Sequence, residues 1–549
     1  MIENDLLILE LLKKRGIEKE EDIVEFLSEK PQKTYDPFLL LNMKAGVDFV
    51  LKAIREKKKI FIYGDYDVDG ITSTVILKTV LEHIIGEKNS IDYYIPSRFR
   101  EGYGLSNGAL AKIKEMGGEV VITVDCGSVS TNEVEYAKNI GLEIMITDHH
   151  TVSAQKPDCL IINPKQKECN YPFKHLAGCG VAFKLSQALL IESKLGTKFT
   201  HGLLDILAIG TVADVVPLVD ENRTFIKYGL RMMNQKKRRA IAKLLEMIGS
   251  GKEIINSETI GFRIGPHLNA AGRMASAKIG VKLFLEEDAN KQDEIIRELM
   301  DYNNERKSIQ EEIQKNCEKY IEENCRNKDF FLIYAEDAHE GITGIVASKI
   351  KEKYNRPTAI LTNSEGNLKG TSRSIESIDL HDFLKSIDDL FLKFGGHKGA
   401  CGFSMQKENL PMLIDRVSEK IEKMKVENEE LFVINTKSEI VCRVENVTVD
   451  FIEKLEKIGP FGTSNEKPIL EISDIRVKSK NLIGENGKHI KFTVEEEGKS
   501  LECIMFFADE KHKNIIFADK KVSVLGTLSI NEWNNRKTPQ MIVSAVNFA

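Results

Sequence analysis

Ile60-Phe61-Ile62-Tyr63 is a short apolar run of β-branched and aromatic residues, and three carboxylates, Asp65, Asp67 and Asp69, follow it at alternate positions. Such a run reads as a central strand of a parallel sheet, covered on both faces. The acids are expected in the loop at its C-terminal end, before a returning helix over 71–85. Carboxylates this close raise one another's pKa unless positive charge lies between them, and a hard divalent cation is the usual partner. A solvated acidic turn has the same local composition. Recurrence separates the two readings.

Val120-Val121-Ile122-Thr123-Val124 runs into Asp125-Cys126-Gly127, and Ile144-Met145-Ile146-Thr147 runs into Asp148-His149-His150. Leu160-Ile161-Ile162 before Asn163-Pro164 has the form of a fourth strand, and helical sequence lies over 133–139. Strands alternating with helices predict a doubly wound parallel sheet, in which ligands collect beyond the C-terminal strand ends. Asp65, Asp67, Asp125, Asp148, His149 and His150 would then share one crevice. Asp214 stands in the apolar stretch 207–218, where an unpaired carboxylate is costly unless it meets a cation or caps a helix. Carboxylates and imidazoles without thiolates favour Mn²⁺ or Mg²⁺ over structural zinc. The donors suffice for two ions, an arrangement suited to phosphoester or phosphoanhydride hydrolysis.

A length of 549 residues implies three or four domains. Helical sequence over 1–40 carries Leu6, Leu7, Leu9, Leu11 and Leu12 as its apolar face, and the acid-tipped strands fill 41–285. A charged helix over 286–328, with Ile295, Leu299, Tyr302, Ile309 and Ile313 in helical spacing, reads as a connector between domains. A smaller α/β unit over 329–428 carries glycine-rich stretches, Gly370-Thr371-Ser372-Arg373-Ser374 and Gly395-Gly396-His397, read as loops that admit a phosphate. Short β runs over 429–549 suggest a small barrel. The net charge of −6 leaves no global basic field, so a nucleic acid would be held by local patches. One is the loop 96–104, which mixes Arg98, Phe99, Arg100 and Tyr103 and suits gripping a phosphate or stacking a base. Lys236-Lys237-Arg238-Arg239 is another basic run, of the kind that is more often a solvated face. Nine dispersed cysteines, the absence of a basic N-terminal stretch and the acids that interrupt the longest apolar tract point to a reducing, cytoplasmic setting.

Taken together, Tyr63 to Gly70, Val124-Asp125-Cys126-Gly127, Asp148-His149-His150 and Ala213-Asp214 resemble, in that order, the motifs of the DHH phosphoesterase superfamily. The chain resembles its RecJ-type single-strand-specific exonucleases over essentially its whole length. The resemblance implies two Mn²⁺ or Mg²⁺ ions held by Asp65, Asp67, Asp125, His149 and Asp214, with Asp125 bridging. Asp69, Asp148 and His150 would act around them or on the scissile phosphate, and Asp148 is a candidate to orient a histidine ligand. It places Arg273, at the end of 264–273, on the nucleic-acid path; at His267 the family more often carries arginine. The second α/β unit resembles a DHHA1 domain, which implies that Ser372, Arg373, Gly395, Gly396 and His397 meet substrate, with Arg98 at a terminal 5′ phosphate. An OB-fold is implied at the C-terminus, with Phe506, Phe507, Trp533 and Arg536 as stacking candidates; one of the two adjacent phenylalanines is expected in the core. The implied activity is 5′ to 3′ hydrolysis of single-stranded DNA in repair and recombination, alongside a single-strand-binding protein and a helicase. Two other readings stay open: a phosphodiesterase of short oligonucleotides or cyclic dinucleotides, and a non-catalytic single-strand-binding scaffold.

Overall fold

The computed structural model describes residues 2–153, 155–364, 366–433, 436–534 and 536–549. Five parallel strands form the first sheet: β1 (Ile60–Gly64), β2 (Asp92–Tyr94), β3 (Val120–Val124), β4 (Glu143–Thr147) and β5 (Leu160–Ile162). Their order is β2-β1-β3-β4-β5. The continuous apolar runs are buried because helices cover both faces. Val68–Ile85, Gly178–Glu192 and Leu204–Ala213 pack on one side, and Asn107–Glu115 and Thr131–Asn139 on the other. Register does the rest: Gly64 pairs with Val124 and Val124 with Thr147. Asp65, Asp125 and Asp148 are therefore the first residues past three adjacent strands.

The returning helix starts at Val68, not 71, because the Asp67 side chain accepts from the Asp69 and Gly70 N–H groups as its N-cap. Asp69 consequently lies in the first helical turn, while only Asp65 and Asp67 occupy the loop. Asp214 caps the C-terminal end of Leu204–Ala213.

The helix Ala289–Tyr320 spans 32 residues, about 48 Å at 1.5 Å per residue. Its Ile296 and Leu299 enter the core of the first sheet, and Ile313 and Cys317 that of the second. The second sheet contains β6 (Phe331–Tyr334), β7 (Thr358–Ser364), β8 (Asn367–Arg373), β9 (Lys393–His397) and β10 (Ala400–Met405), in the order β6-β7-β8-β10-β9. Both glycine-rich stretches expected as loops therefore belong largely to strands, with β9 at the edge.

The third sheet comprises β11 (Ile440–Val441), β12 (Leu470–Ile483), β13 (His489–Glu496), β14 (Lys499–Met505), β15 (Val522–Trp533) and β16 (Arg536–Phe548). Pairing of β12 with β15 closes five of these strands into a barrel. The N-terminal helix Ile2–Lys14 packs here through Ile8, Leu11 and Leu12, while Leu6 and Leu9 are exposed. The expected leucine face is corrected to a stripe at 8, 11 and 12, because five leucines within seven residues cannot share one side of a 3.6-residue helix.

The helix Asp220–Asn234 ties both chain ends to the first sheet. Arg223, Lys227 and Arg231 donate to the carbonyls of Phe26, Ser28 and Glu29 at the end of helix Glu20–Leu27, and Arg223 also reaches Lys457 and Ile458. Cations at a helix C-terminus complement its dipole. All nine cysteines are free thiols. Among the described residues no helix is long and apolar enough to cross a membrane.

Candidate metal centre and nucleic-acid cleft

Beyond β1, β3 and β4 the acids close on one imidazole. His149 Nε2 lies 3.2 Å from Asp125 Oδ1, 3.6 Å from Asp214 Oδ2 and 3.7 Å from Asp69 Oδ2. Three overlapping groups have ligand atoms within 4.8 Å of one another: Asp65, Asp67 and Asp125; Asp125, His149 and His150; and Asp69, His149 and Asp214. Asp125 and His149 each belong to two.

Close approach depends on missing side chains. A Cβ on Gly178 would meet Asp125 Oδ1 at 2.7 Å, and one on Gly70 would meet the Asp65 backbone at 2.4 Å. With Gly178 bare, the N-terminus of its helix reaches the site: Gly178 N donates to Asp69 Oδ2 at 2.6 Å and Cys179 N to Asp69 Oδ1 at 2.8 Å. Asp125 itself has φ 62°, a left-handed conformation that Asp and Asn tolerate better than most residues.

The centre is electrostatically incomplete. Asp65 Oδ1, Asp125 Oδ1, Asp214 Oδ2 and both His149 nitrogens are buried without hydrogen-bond partners. Burial first, then the neighbouring carboxylates, pushes Asp65, Asp125 and Asp214 well above the usual carboxylate range. Burial lowers His149 to about 4, so its imidazole is neutral and free to ligate. Orphaned oxygens around a neutral imidazole, with no sulfur among them, fit Mn²⁺ or Mg²⁺.

Asp148 has a different task. It accepts from the N–H groups of Ser128 (2.9 Å), His149 (2.7 Å) and His150 (3.1 Å) and from His150 Nδ1 (2.8 Å). Burial opposes its charge, but the His150 bond and the Ser128 N–H hold it well below the usual range. His150 is raised in return: burial lowers it, and Asp148 more than offsets that. Asp148 therefore orients His150 and not the buried His149, because the short link between adjacent residues leaves the Asp148 carboxylate beside the outward-turned ring.

A cleft opens beside the centre. Arg98 stacks over Tyr66 with 4.3 Å to the ring centroid, and its charge acts on Asp65. Tyr103 Oη lies 3.1 Å from His150 Nδ1. Phe99 meets His339 edge to face at 5.4 Å, and Arg273 donates to Gly341 O, so the second α/β unit forms the opposite wall. Arg373 donates to Ser372 O at 2.8 Å and sits against Gly344. Among the described residues Arg98, Arg273 and Arg373 have no carboxylate within 4.0 Å.

The family model "DHH family, N-terminal domain" matches residues 59–211, "DHHA1 domain" 327–423 and "RecJ OB domain" 438–545. The single-stranded-DNA-specific exonuclease RecJ of Bacillus subtilis (strain 168) is 37% identical over 540 residues, covering 98% of this chain and 67% of that protein. RecJ of Escherichia coli (strain K12) is 32% identical, covering 92% and 90%. This chain belongs to the RecJ family. The crystal structure of RecJ in complex with Mn²⁺ from Thermus thermophilus superimposes with a TM-score of 0.82 at 26% identity, covering 98% of this chain and 75% of that one.

RecJ membership frames the remaining residues. Ser372 departs from its expected contact: it is fully buried and its hydroxyl donates to Cys401 O, so it shapes the sheet. Gly395, Gly396 and His397 are exposed on edge strand β9, and His397 Nδ1 accepts from Gly399 N at 3.2 Å. Phe506 and Phe507 are 50% and 78% exposed, since β14 ends at Met505. The expectation of one in the core is corrected. Trp533, 74% exposed, pairs with Arg536 beside the turn between β15 and β16. Half of the basic run is neutralised: Arg238 bridges Asp205 and Arg239 bridges Asp293. His267 is buried and bonded within the RecJ fold.

Several groups at the centre escaped the sequence reading: the Gly178 and Cys179 N–H groups, Ser128, Asn163 and Lys165. Asn163 Nδ2 donates to Ser128 Oγ at 2.8 Å and to His150 O at 2.9 Å, bracing the Asp-His-His turn. Burial lowers Lys165, while Asp214 and Asp148 draw it back up. Asn163 and Lys165 follow a strand end, the same signal that marked Asp65, Asp125 and Asp148.

Proposed function

We propose that this RecJ-family chain is a Mn²⁺- or Mg²⁺-dependent exonuclease that hydrolyses single-stranded DNA from its 5′ end. The observation that carries the reading is the set of orphaned buried donors beside a cleft lined with arginines that lack acidic partners. Asp65, Asp67, Asp125, His149 and Asp214 would hold the ions, Asp125 and His149 each belonging to two of the ligand groups. When bound, the ions supply Lewis acidity that lowers the pKa of a water and offset charge developing at phosphorus. Asp69, fixed by two N–H groups, keeps the helix end against the centre. His150, oriented by Asp148 and with its pKa raised by that carboxylate, donates a hydrogen bond to the scissile phosphate, with Tyr103 beside it. Arg98 and Arg373 hold the terminal phosphate, Gly395 and Gly396 offer a wall without side chains, and His397 adds an exposed imidazole beside them. Arg273 takes a phosphate further along the strand.

In this reading 41–285 does the chemistry, 286–328 links it to 329–428, which holds the strand end, and 429–549, with the helix Ile2–Lys14 of the 1–40 segment packed on it, takes the trailing strand. A cleft between two units admits one flexible strand and excludes a stiff duplex. A single-strand-binding protein and a helicase would supply unpaired strand during repair and recombination in the cytoplasm, where free thiols persist. Digestion of end-labelled single strands, duplexes and dinucleotides with Mn²⁺, Mg²⁺ or chelator tests the proposal. Mononucleotides released from the 5′ end of single strands, only with a divalent ion, are expected; metal-independent cutting or preference for dinucleotides overturns it.

Arg373→Ala is expected to cost roughly 1.5–3 kcal/mol, or about 10- to 150-fold, in kcat/KM on 5′-phosphorylated ends. Strands with a 5′ hydroxyl should lose much less. Equal losses on both ends would remove Arg373 from the terminal-phosphate site.

A further inference from the structure

A groove of about 700 Å³ leads away from the metal centre. It begins at Val212, Ala213 and Val215, which flank Asp214, and ends at the Phe461–Lys467 segment before the barrel. Its walls mix exposed apolar side chains, Val215 and Phe262, with Arg273, Arg306 and Lys467 and with two acids, Glu258 and Glu466; Lys467 is paired with Glu456, whereas the two arginines pair with neither acid. Arg306 has no role in the site described above.

Its environment is unusual for a half-buried guanidinium. Arg306 Nη1 donates to Gln310 Oε1 at 2.7 Å and Nη2 to Asn303 Oδ1 at 2.6 Å. Both acceptors are neutral amides, and Arg306 forms no ion pair among the described residues. Burial pulls its pKa down, and Arg306 in turn helps to lower Arg273. Two uncompensated cations thus share one groove.

The orientation of Asn303 is itself determined. His267 Nδ1 lies 2.6 Å from Arg263 O, and a carbonyl only accepts, so Nδ1 carries the hydrogen. His267 Nε2 is then an acceptor and takes the Asn303 Nδ2 hydrogen at 3.0 Å. That turns Asn303 Oδ1 toward Arg306. Asn303 is fully buried and cannot exchange these partners for solvent. The chain from Arg263 O through His267 and Asn303 thus aims a guanidinium while leaving its charge unspent.

We infer that Arg306 contacts the phosphate backbone of the strand as it leaves the metal centre, with His267 and Asn303 as positioning residues. The inference rests on the nuclease reading and adds a subsite to it. Arg offers a planar fork of donors to phosphate oxygens, and the neighbouring Val215 and Phe262 give sugars and bases an apolar surface.

Binding of a long oligothymidylate, measured by fluorescence anisotropy across a salt series with the Asp125→Asn protein so that the strand is not cut, tests the inference. Adding Arg306→Gln should weaken binding several-fold and lower the slope of log affinity against log salt by about 0.7, the value of one single-strand phosphate contact. Arg306→Lys should restore most of the slope. Gln310→Glu is the decisive variant. It leaves the His267–Asn303 bond in place and turns the other acceptor of Arg306 into a carboxylate, so a merely structural role predicts an unchanged slope; neutralisation of Arg306 predicts a reduced one. An unchanged slope in Arg306→Gln or Gln310→Glu overturns the assignment. If the parent protein does not bind the strand at all, the nuclease reading fails instead.

Discussion

Asp125→Asn is expected to lower nuclease turnover by at least about 10³-fold, equivalent to roughly 4 kcal/mol of transition-state stabilisation, while leaving the fold intact. Asp125 contributes to two of the three potential ligand groups, so its loss weakens both ion positions together. Asparagine keeps the size and tolerates φ 62°; alanine would add backbone strain to the test. In the metal-free protein the substitution also relieves repulsion, since burial and the charges of Asp69, Asp67, Asp214 and Asp65 all disfavour an ionised Asp125. Metal-free Asp125→Asn should therefore melt at or above the wild-type temperature. Turnover within a few-fold of wild type would end the bridging role, and a lower melting temperature would contradict the electrostatic account.

Affinity for Mn²⁺ should rise steeply with pH, by about tenfold per pH unit for each proton that the ion displaces. Asp65, Asp125 and Asp214 are raised by burial and by one another, so the metal-free centre retains protons at pH values where ordinary carboxylates have lost theirs. A divalent cation inverts this by favouring the charged form. Raised carboxylates stabilise the metal-free protein at low pH, and that contribution is lost as pH climbs through their folded pKa values. The bound ion reverses the slope, so the rise in melting temperature caused by Mn²⁺ should grow with pH. His149, lowered to about 4 by burial, is neutral across this window and releases nothing. Asp148, held well below the usual range, is ionised throughout. Titration calorimetry in buffers of different protonation enthalpy should show net proton release, reduced in Asp214→Asn. Affinity flat between about pH 5.5 and 8, with no proton release, would refute the linkage.

The parallel sheet was legible because each strand is a continuous apolar run ending in a functional residue, a pattern that needs only a few consecutive positions. Convergence of Asp65, Asp125, Asp148 and His149 followed from topology, since parallel strands end on one edge. The connector helix and the barrel could be read from their periods. The start of the returning helix could not, because Asp67 serves both as cap and as candidate ligand. Ser372 read as a substrate group until the alternation of β8 turned its hydroxyl inward toward Cys401 O. Phe506 and Phe507 lie past Met505, the last residue of β14, so strand alternation places neither of them in the core.

From its own residues the sequence determined the kind of chemistry, the ligand types and the order of structural units, all of which depend on neighbours along the chain. Only the tertiary structure decided which histidine Asp148 holds, that the first helix packs on the last barrel, that helix N–H groups seize Asp69, and that Arg306 reaches the groove through His267 and Asn303. Those choices are made by groups far apart in sequence. Their pairing depends on directional hydrogen bonds and close packing, and no local period records it.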